Sequence, residues 1–316
     1  SSAASDVYKR QTNPTPSANV KKYLYQGDAL TQEDINALAS EGSVTYIMEA
    51  GMELVWETLD ETTGEMAAIV IPDGLSVTFF GASGGEKPTI KSNKTIEIDG
   101  NHNYISFENV AFINTGSTYL INEGNTSSLE TLSFTDCTFD DYSRSIIRLK
   151  DNASISIDNL IIDNCVITNQ GSDNYACFYW NNAAYSIANF IMSNTTVNTA
   201  LHNVMDFRSS NTTNIEIENC TFYNSMDAKK ELPKVFRFDN AASTPPSPKS
   251  ATMRNLIFSG PNKGKKMNSG NGAYDILNFS DNCYITSDLQ EGNNRFEEIT
   301  RIKQSSDDLF LSLIHI

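Results

Sequence analysis

The sequence predicts an all-β chain wound as a right-handed parallel β-helix, with one short capping helix near its start. Three observations carry this. A six-residue pattern, apolar-x-Asn/Asp-small-x-apolar, recurs about every 29 residues. The segments around it alternate with period two in β-branched and aromatic residues. Asn-Gly dipeptides, the usual mark of tight hairpins, are missing where most reversals would fall, so the short strands stack in parallel rather than pair as hairpins.

The pattern reads Phe107-Glu-Asn-Val-Ala-Phe112, Phe134-Thr-Asp-Cys-Thr-Phe139, Ile162-Asp-Asn-Cys-Val-Ile167, Met192-Ser-Asn-Thr-Thr-Val197, Ile217-Glu-Asn-Cys-Thr-Phe222, Met253-Arg-Asn-Leu-Ile-Phe258 and Ser280-Asp-Asn-Cys-Tyr-Ile285. Its polar anchors are Asn109, Asp136, Asn164, Asn194, Asn219, Asn255 and Asn282, spaced 27, 28, 30, 25, 36 and 27. Segments such as Ser154-Ile-Ser-Ile157, Asn214-Ile-Glu-Ile217 and Val235-Phe-Arg-Phe238 read as strands bounded by Asn, Gly, Ser and Asp turns. Each repeat is then one coil, and equivalent residues form ladders about 4.8 Å apart.

Each anchor is expected at a bend, with its side chain hydrogen-bonded to the backbone there. The slot after it holds Cys137, Cys165, Cys220 or Cys283, and elsewhere Val110, Thr195 or Leu256. A slot that accepts Val, Thr and Leu is a buried column, so these cysteines are expected to be free structural thiols. No metal site or cofactor is expected; calcium along the anchor column is the one ion left open.

Thr31-Gln-Glu-Asp-Ile-Asn-Ala-Leu-Ala-Ser40 has a capping Thr31, acids in its first turn and Gly42 just beyond, the marks of a short helix. It is placed over the first coil, whose open edge would otherwise aggregate. Coils are expected from Val44 through Leu75-Ser-Val-Thr-Phe-Phe80 onward, with 12–30 as linker and 31–310 as the β-helix domain, truncated at its C-terminal end. Ala241-Ala-Ser-Thr-Pro-Pro-Ser-Pro-Lys249 must loop outward, and Lys263-Gly-Lys-Lys266 makes a second, basic loop. Residues 1–11 and 311–316 read as translated sequencing adapter. Asp6-Val-Tyr-Lys-Arg-Gln11 can be encoded by GATGTGTATAAGAGACAG, whose reverse complement encodes the final Leu-Ser-Leu-Ile-His-Ile.

Composition narrows the function. The net charge is −16, and removing the net +1 of Asp6, Lys9 and Arg10 leaves −17, which argues against nucleic acid or an anionic membrane as partner. No apolar run reaches the roughly 18 residues of a membrane span. With His315 in the adapter, only His102 and His202 remain, too few for a histidine-rich zinc site and a poor basis for a Ser-His-Asp hydrolase. CxxC pairs, GxGxxG turns and GxxxxGK[ST] loops are absent.

The Asn ladder, the stacked aliphatics and the Asn-Cys-x-Phe/Ile coils resemble the pectate-lyase-like right-handed β-helices. More narrowly, the chain is similar to β-helix proteins that glycan-foraging Gram-negative bacteria encode in polysaccharide-utilisation loci. The resemblance covers most of Thr31 to Phe310, including Ser306-Asp-Asp-Leu-Phe310. It implies a monomeric extracellular, cell-surface or periplasmic protein whose partner is a polysaccharide, but the superfamily hosts lyases, hydrolases and plain binders alike.

Four successive coils align as Ile147-Arg-Leu-Lys150, Phe178-Tyr-Trp-Asn181, Met205-Asp-Phe-Arg208 and Phe236-Arg-Phe-Asp239. Alternation sends Ile147, Leu149, Phe178, Trp180, Met205, Phe207, Phe236 and Phe238 inward. Two outward columns follow, Arg148, Tyr179, Asp206, Arg237 and Lys150, Asn181, Arg208, Asp239, which together carry +2. Such a strip suits an acidic sugar chain, since Arg forks carboxylates and Tyr stacks on a pyranose face. The alternative is a solvated surface in which Arg237 pairs with Asp206 and Arg208 with Asp239. Glycan binding ranks first. A β-eliminating lyase ranks second, with Lys150 as base, Arg148, Arg208 or Arg237 quenching the carboxylate, and Tyr179 or His202 as acid. A structural adhesin ranks third. A hydrolase would pair Asp206 with Asp239 across a sugar bond, but cations lie between them.

Overall fold

The computed structural model describes residues 19–56, 67–92, 95–114, 119–149, 153–170, 175–180, 182–200, 203–208, 210–223, 234–238, 248–260, 266–268, 277–279, 282–289 and 299–310. The adapter-like ends, and most of the proline-rich and basic loops, lie outside them.

The chain winds into a parallel β-helix with three faces. The first is a ten-stranded sheet that starts at Val20–Leu24 and Ser43–Met48 and ends at Leu277–Phe279, and the second is an eleven-stranded sheet. The third is broken into two four-stranded sheets. One runs Ile69–Ile71, Ile96–Ile98, Tyr119–Glu123, Ser145–Leu149, and the other Phe178–Tyr179, Met205–Asp206, Lys234–Arg237, Lys266–Asn268. Every strand pairing between described residues is parallel and joins one coil to the next.

The recurring motif makes the corner between the first two faces. Its leading residue stacks on the first face, where Phe107 is in register with Phe134 and Phe134 with Ile162; its last stacks on the second, where Phe112 is in register with Phe139 and Phe139 with Ile167. Between them all seven anchors turn the chain at positive φ, from 49° to 56°. Asn and Asp tolerate this left-handed conformation best among residues with a Cβ, which explains their monopoly of the position. The expectation of backbone bonding needs correction. Only Asn109 donates chiefly to a backbone carbonyl, that of Gly81 at 2.9 Å. Asn164, Asn219, Asn255 and Asn282 donate to the anchor of the preceding coil at 3.0–3.3 Å, and Asn194 donates to Asp163 at 2.8 Å. A side-chain amide carries both donor and acceptor, so a column of them satisfies itself.

The core is a set of ladders. Rings stack at 5.1 to 5.3 Å from Tyr46 through Phe79 and Phe107 to Phe134, and Trp180 stacks on Phe207 at 4.6 Å. All five cysteines are buried, and none forms a disulfide. Burial pushes the Cys220 thiol up to about 12, so it stays protonated and unreactive at neutral pH.

The helix is shorter than Thr31–Ser40: it spans Gln32–Asn36, followed by a 3-10 turn at Ala39–Glu41. Thr31 and Asp34 close a reciprocal capping box. Where a linker is expected over 12–30, Val20–Leu24 pairs with Ser43–Met48 and Ala29–Leu30 with Val55 and Trp56. These two strands and the helix form the first coil, with the helix taking the place of the third-face strand. Gln32 completes it, since its amide side chain accepts from Val70 N at 2.7 Å and donates to Val70 O at 2.8 Å, as a strand neighbour would. At the far end a second helix, Ser306–Phe310, is tied by the Ser306 amide to Asp288 at 2.9 Å and packs Phe310 on Tyr223. Among the described residues, no helix is long and apolar enough to cross a membrane.

Candidate functional site

The third face breaks between Ser145–Leu149 and Phe178–Tyr179, and there a recess of about 190 Å³ opens. The main-chain ladder gives way to side chains at this step. Ile146 N still reaches Cys177 O, but at 3.4 Å, while Tyr179 N donates to Ser145 Oγ at 3.0 Å and Leu149 N donates to the Tyr185 hydroxyl at 2.8 Å. Because hydroxyls from the adjoining coil on either side satisfy these amides, the strands need not close up.

Two arginines and four tyrosines line the recess, with Ile147, Leu149 and Asn182 completing it. Arg144 lies between two rings, 4.7 Å from the centroid of Tyr175 and 5.7 Å from that of Tyr119, and donates to the Tyr119 hydroxyl at 3.2 Å. That hydrogen bond raises its pKa above the ordinary value. Arg148 lies 5.4 Å from the Tyr119 centroid, and Tyr175 meets Tyr179 edge-on at 5.3 Å. Tyr119 therefore steadies both guanidiniums through its π face. Among the described residues, neither arginine forms an ion pair. In register with Arg148 on the preceding coil, Asn122 buries an Oδ1 that has no hydrogen-bond partner. The lining thus offers N–H forks to an anion and aromatic faces to a ring. Its described part carries no carboxylate, imidazole or amine, and burial raises the Tyr185 phenol away from the range of a base.

Two coils further along, the same face holds a different cluster. Tyr179, Asp206 and Arg237 stack in register. Asp206, expected to point into solvent, is only 1% exposed. It does leave the outer side of its strand, but Arg208 grips it with Nε to Oδ1 at 2.9 Å and Nη2 to Oδ2 at 3.0 Å, and Arg237 Nη1 lies 3.6 Å from Oδ2. The two guanidiniums cover the carboxylate. Burial lowers the pKa of Arg237, and Asp206 opposes that shift.

The sequence-derived strip is thus split. Tyr179 and Arg148 line the recess, while Asp206, Arg208 and Arg237 form the ion-pair cluster next to it. Arg237 pairs with Asp206 as the alternative reading expects; Arg208 pairs with Asp206 too. Lys150, Asn181, His202 and Asp239 lie outside the described residues. The inward set is confirmed: Ile147, Phe178, Trp180, Met205, Phe207, Phe236 and Phe238 are buried, and Leu149 packs against the core. The alignment across the break is off by one residue, because the Ile146 to Cys177 bond matches the Phe178 to Val204 bond of the next step and so sets Ile146 opposite Phe178. Arg144 and Tyr175 escaped sequence reasoning because they precede their strands, Tyr185 because it opens a strand of the first face, and Tyr119 because its coil precedes the four that were aligned. Among the described residues, no group of three or more His, Cys, Asp or Glu could hold a metal ion. No family model, curated protein or solved structure matches this chain.

Proposed function

We propose that this chain is a polysaccharide-binding β-helix of the pectate-lyase-like type, exposed outside the cytoplasm, that takes acidic, uronate-containing glycans at the recess. One observation carries the reading. On a protein of net charge −16, Arg144 and Arg148 stand together without a carboxylate partner among the described residues, held by tyrosine rings at the mouth of a recess. A carboxylate would supply the missing counter-charge through charge-assisted hydrogen bonds, and the tyrosines would take the apolar face of a pyranose. Binding rather than cleavage is preferred because the described lining supplies guanidiniums and rings but no carboxylate, imidazole or amine to take up a proton.

Calorimetric titration with a polyuronate and with a neutral glucan tests this. Binding of the polyuronate alone is expected, weakened by salt and lost on combined Arg144→Ala and Arg148→Ala substitution. Equal binding of the neutral polymer, or unchanged binding in the double variant, would overturn the proposal.

A further inference from the structure

The Asp206 cluster beside the recess has a charge left over. Arg208 meets the carboxylate with a two-point fork, at 2.9 and 3.0 Å, which is by itself a complete ion pair. Arg237 stands at 3.6 Å, beyond hydrogen-bond distance, so Asp206 attracts it without occupying its donors. Among the described residues its guanidinium makes no hydrogen bond, and its side chain is 32% exposed. Among the described residues, two guanidiniums against one carboxylate leave one positive charge, carried on Arg237.

The position of that charge is set by the coil. Tyr179, which lines the recess, is in register with Asp206, and Asp206 with Arg237. Each step is one strand spacing, so Arg237 follows Tyr179 by about 10 Å along the helix axis. Tyr179 is thus flanked by the Arg144 and Arg148 pair on one side and by Arg237 on the other. The line thus carries guanidiniums at both ends with a ring between, on a molecule of net charge −16.

Resting on the glycan reading of the recess, we propose that Arg237 is a second anion subsite, positioned by Asp206 and Arg208, and that the ligand is a linear glycan lying along the helix axis with acid groups on more than one of its sugars. Such a chain places one carboxylate at the recess, passes over Tyr179 and sets a later carboxylate at Arg237. Neighbouring coils then act as the ruler that selects for length.

The test is the ratio of affinities for a linear tetra-uronate and for the corresponding mono-uronate, measured by calorimetry at low salt. The wild-type ratio is expected to exceed about tenfold, the gain from one charge-assisted contact and more than four equivalent binding frames would supply. Arg237→Ala should bring the ratio down to about fourfold or less, and Arg237→Lys, which keeps the charge but not the fork, should restore part of it. Asp206→Asn should also lower the ratio, because it releases the anchor that sets Arg237. A wild-type ratio of fourfold or less, or a ratio unchanged in Arg237→Ala, overturns the second subsite while mono-uronate binding at the recess still stands. Absence of any uronate binding removes the recess reading and this inference together.

Discussion

Two buried carboxyls on the third face, Glu123 and Asp206, show how one step of strand register decides the fate of nearby arginines. Asp206 points outward, in register with Arg237, and is covered by two guanidiniums. Glu123 points inward, in register with Leu149, and is 0% exposed. Its partners are backbone amides, Ile98 N at 3.0 Å and Asn125 N at 2.8 Å. Arg148 is one residue away on the neighbouring strand, in register with Asn122, and alternation puts it on the opposite side of the sheet. The acid and the cation are close in sequence position yet separated by the sheet itself. Upstream, therefore, the cations face out with no acid while an acid faces in with no cation among the described residues; downstream, one carboxylate meets two guanidiniums and compensates only one of them among the described residues. On the proposed reading, an arginine of this face is open to an anion only where its charge is left uncompensated.

The largest effect expected from this contrast concerns Glu123. Burial pushes its carboxyl up to about 7, outweighing the backbone N–H bonds that favour the charged form. A carboxyl whose pKa is higher folded than unfolded keeps its proton longer in the folded state, so stability is greatest below about pH 4.5 and falls as pH rises to about 7. Between pH 5 and 8 the wild type should lose on the order of 3 kcal/mol more than Glu123→Gln, read from urea midpoints at each pH. Parallel pH profiles would show that Glu123 is not isolated in the way described.

Substitution of Asp206 is destabilising for a different reason, the loss of an ion pair. Removing it leaves two half-buried guanidiniums facing each other, and Asp206→Ala should cost about 2 kcal/mol, reduced from the usual value for buried pairs by the partial exposure of both arginines. Arg148→Ala should change stability by less than about 1 kcal/mol, since it breaks no ion pair among the described residues. Equal losses would erase the distinction between the regions.

In binding, Arg144→Ala and Arg148→Ala should each weaken a uronate ligand by about 1.5 kcal/mol, the net value of one charge-assisted contact. The smallest effect belongs to Tyr119→Phe, which removes the 3.2 Å bond from Arg144 but keeps the ring. It should cost about 0.5 kcal/mol of affinity. A larger loss would mean that the hydroxyl meets the ligand directly.

How far the molecule could be read from its sequence follows the same physics. The corner column was legible because left-handed backbone at one position per coil selects Asn and Asp, and the slot after it because burial selects Cys, Val, Thr and Leu. A second corner, with Asp141, Asn169, Thr199 and Gly260 also at positive φ, went unread because its residue type changes from coil to coil. The first coil was hidden too: Val-Lys-Lys-Tyr-Leu exposes three successive residues, so it lacks the alternation that marks a strand. At the site, alternation predicted which residues point inward but not that Asp206, pointing outward, would be buried by arginines from its own coil and the next. Nor could it find Arg144, which precedes its strand and reaches the recess only because the sheet stops there.

The most direct test of the central claim is a crystal structure of the protein with a linear oligouronate. A sugar ring is expected against Tyr119, Tyr175 or Tyr179, with its carboxylate about 2.8 Å from the guanidinium of Arg144 or Arg148. An oligouronate bound on the first or second face, with the recess left to solvent, would contradict it.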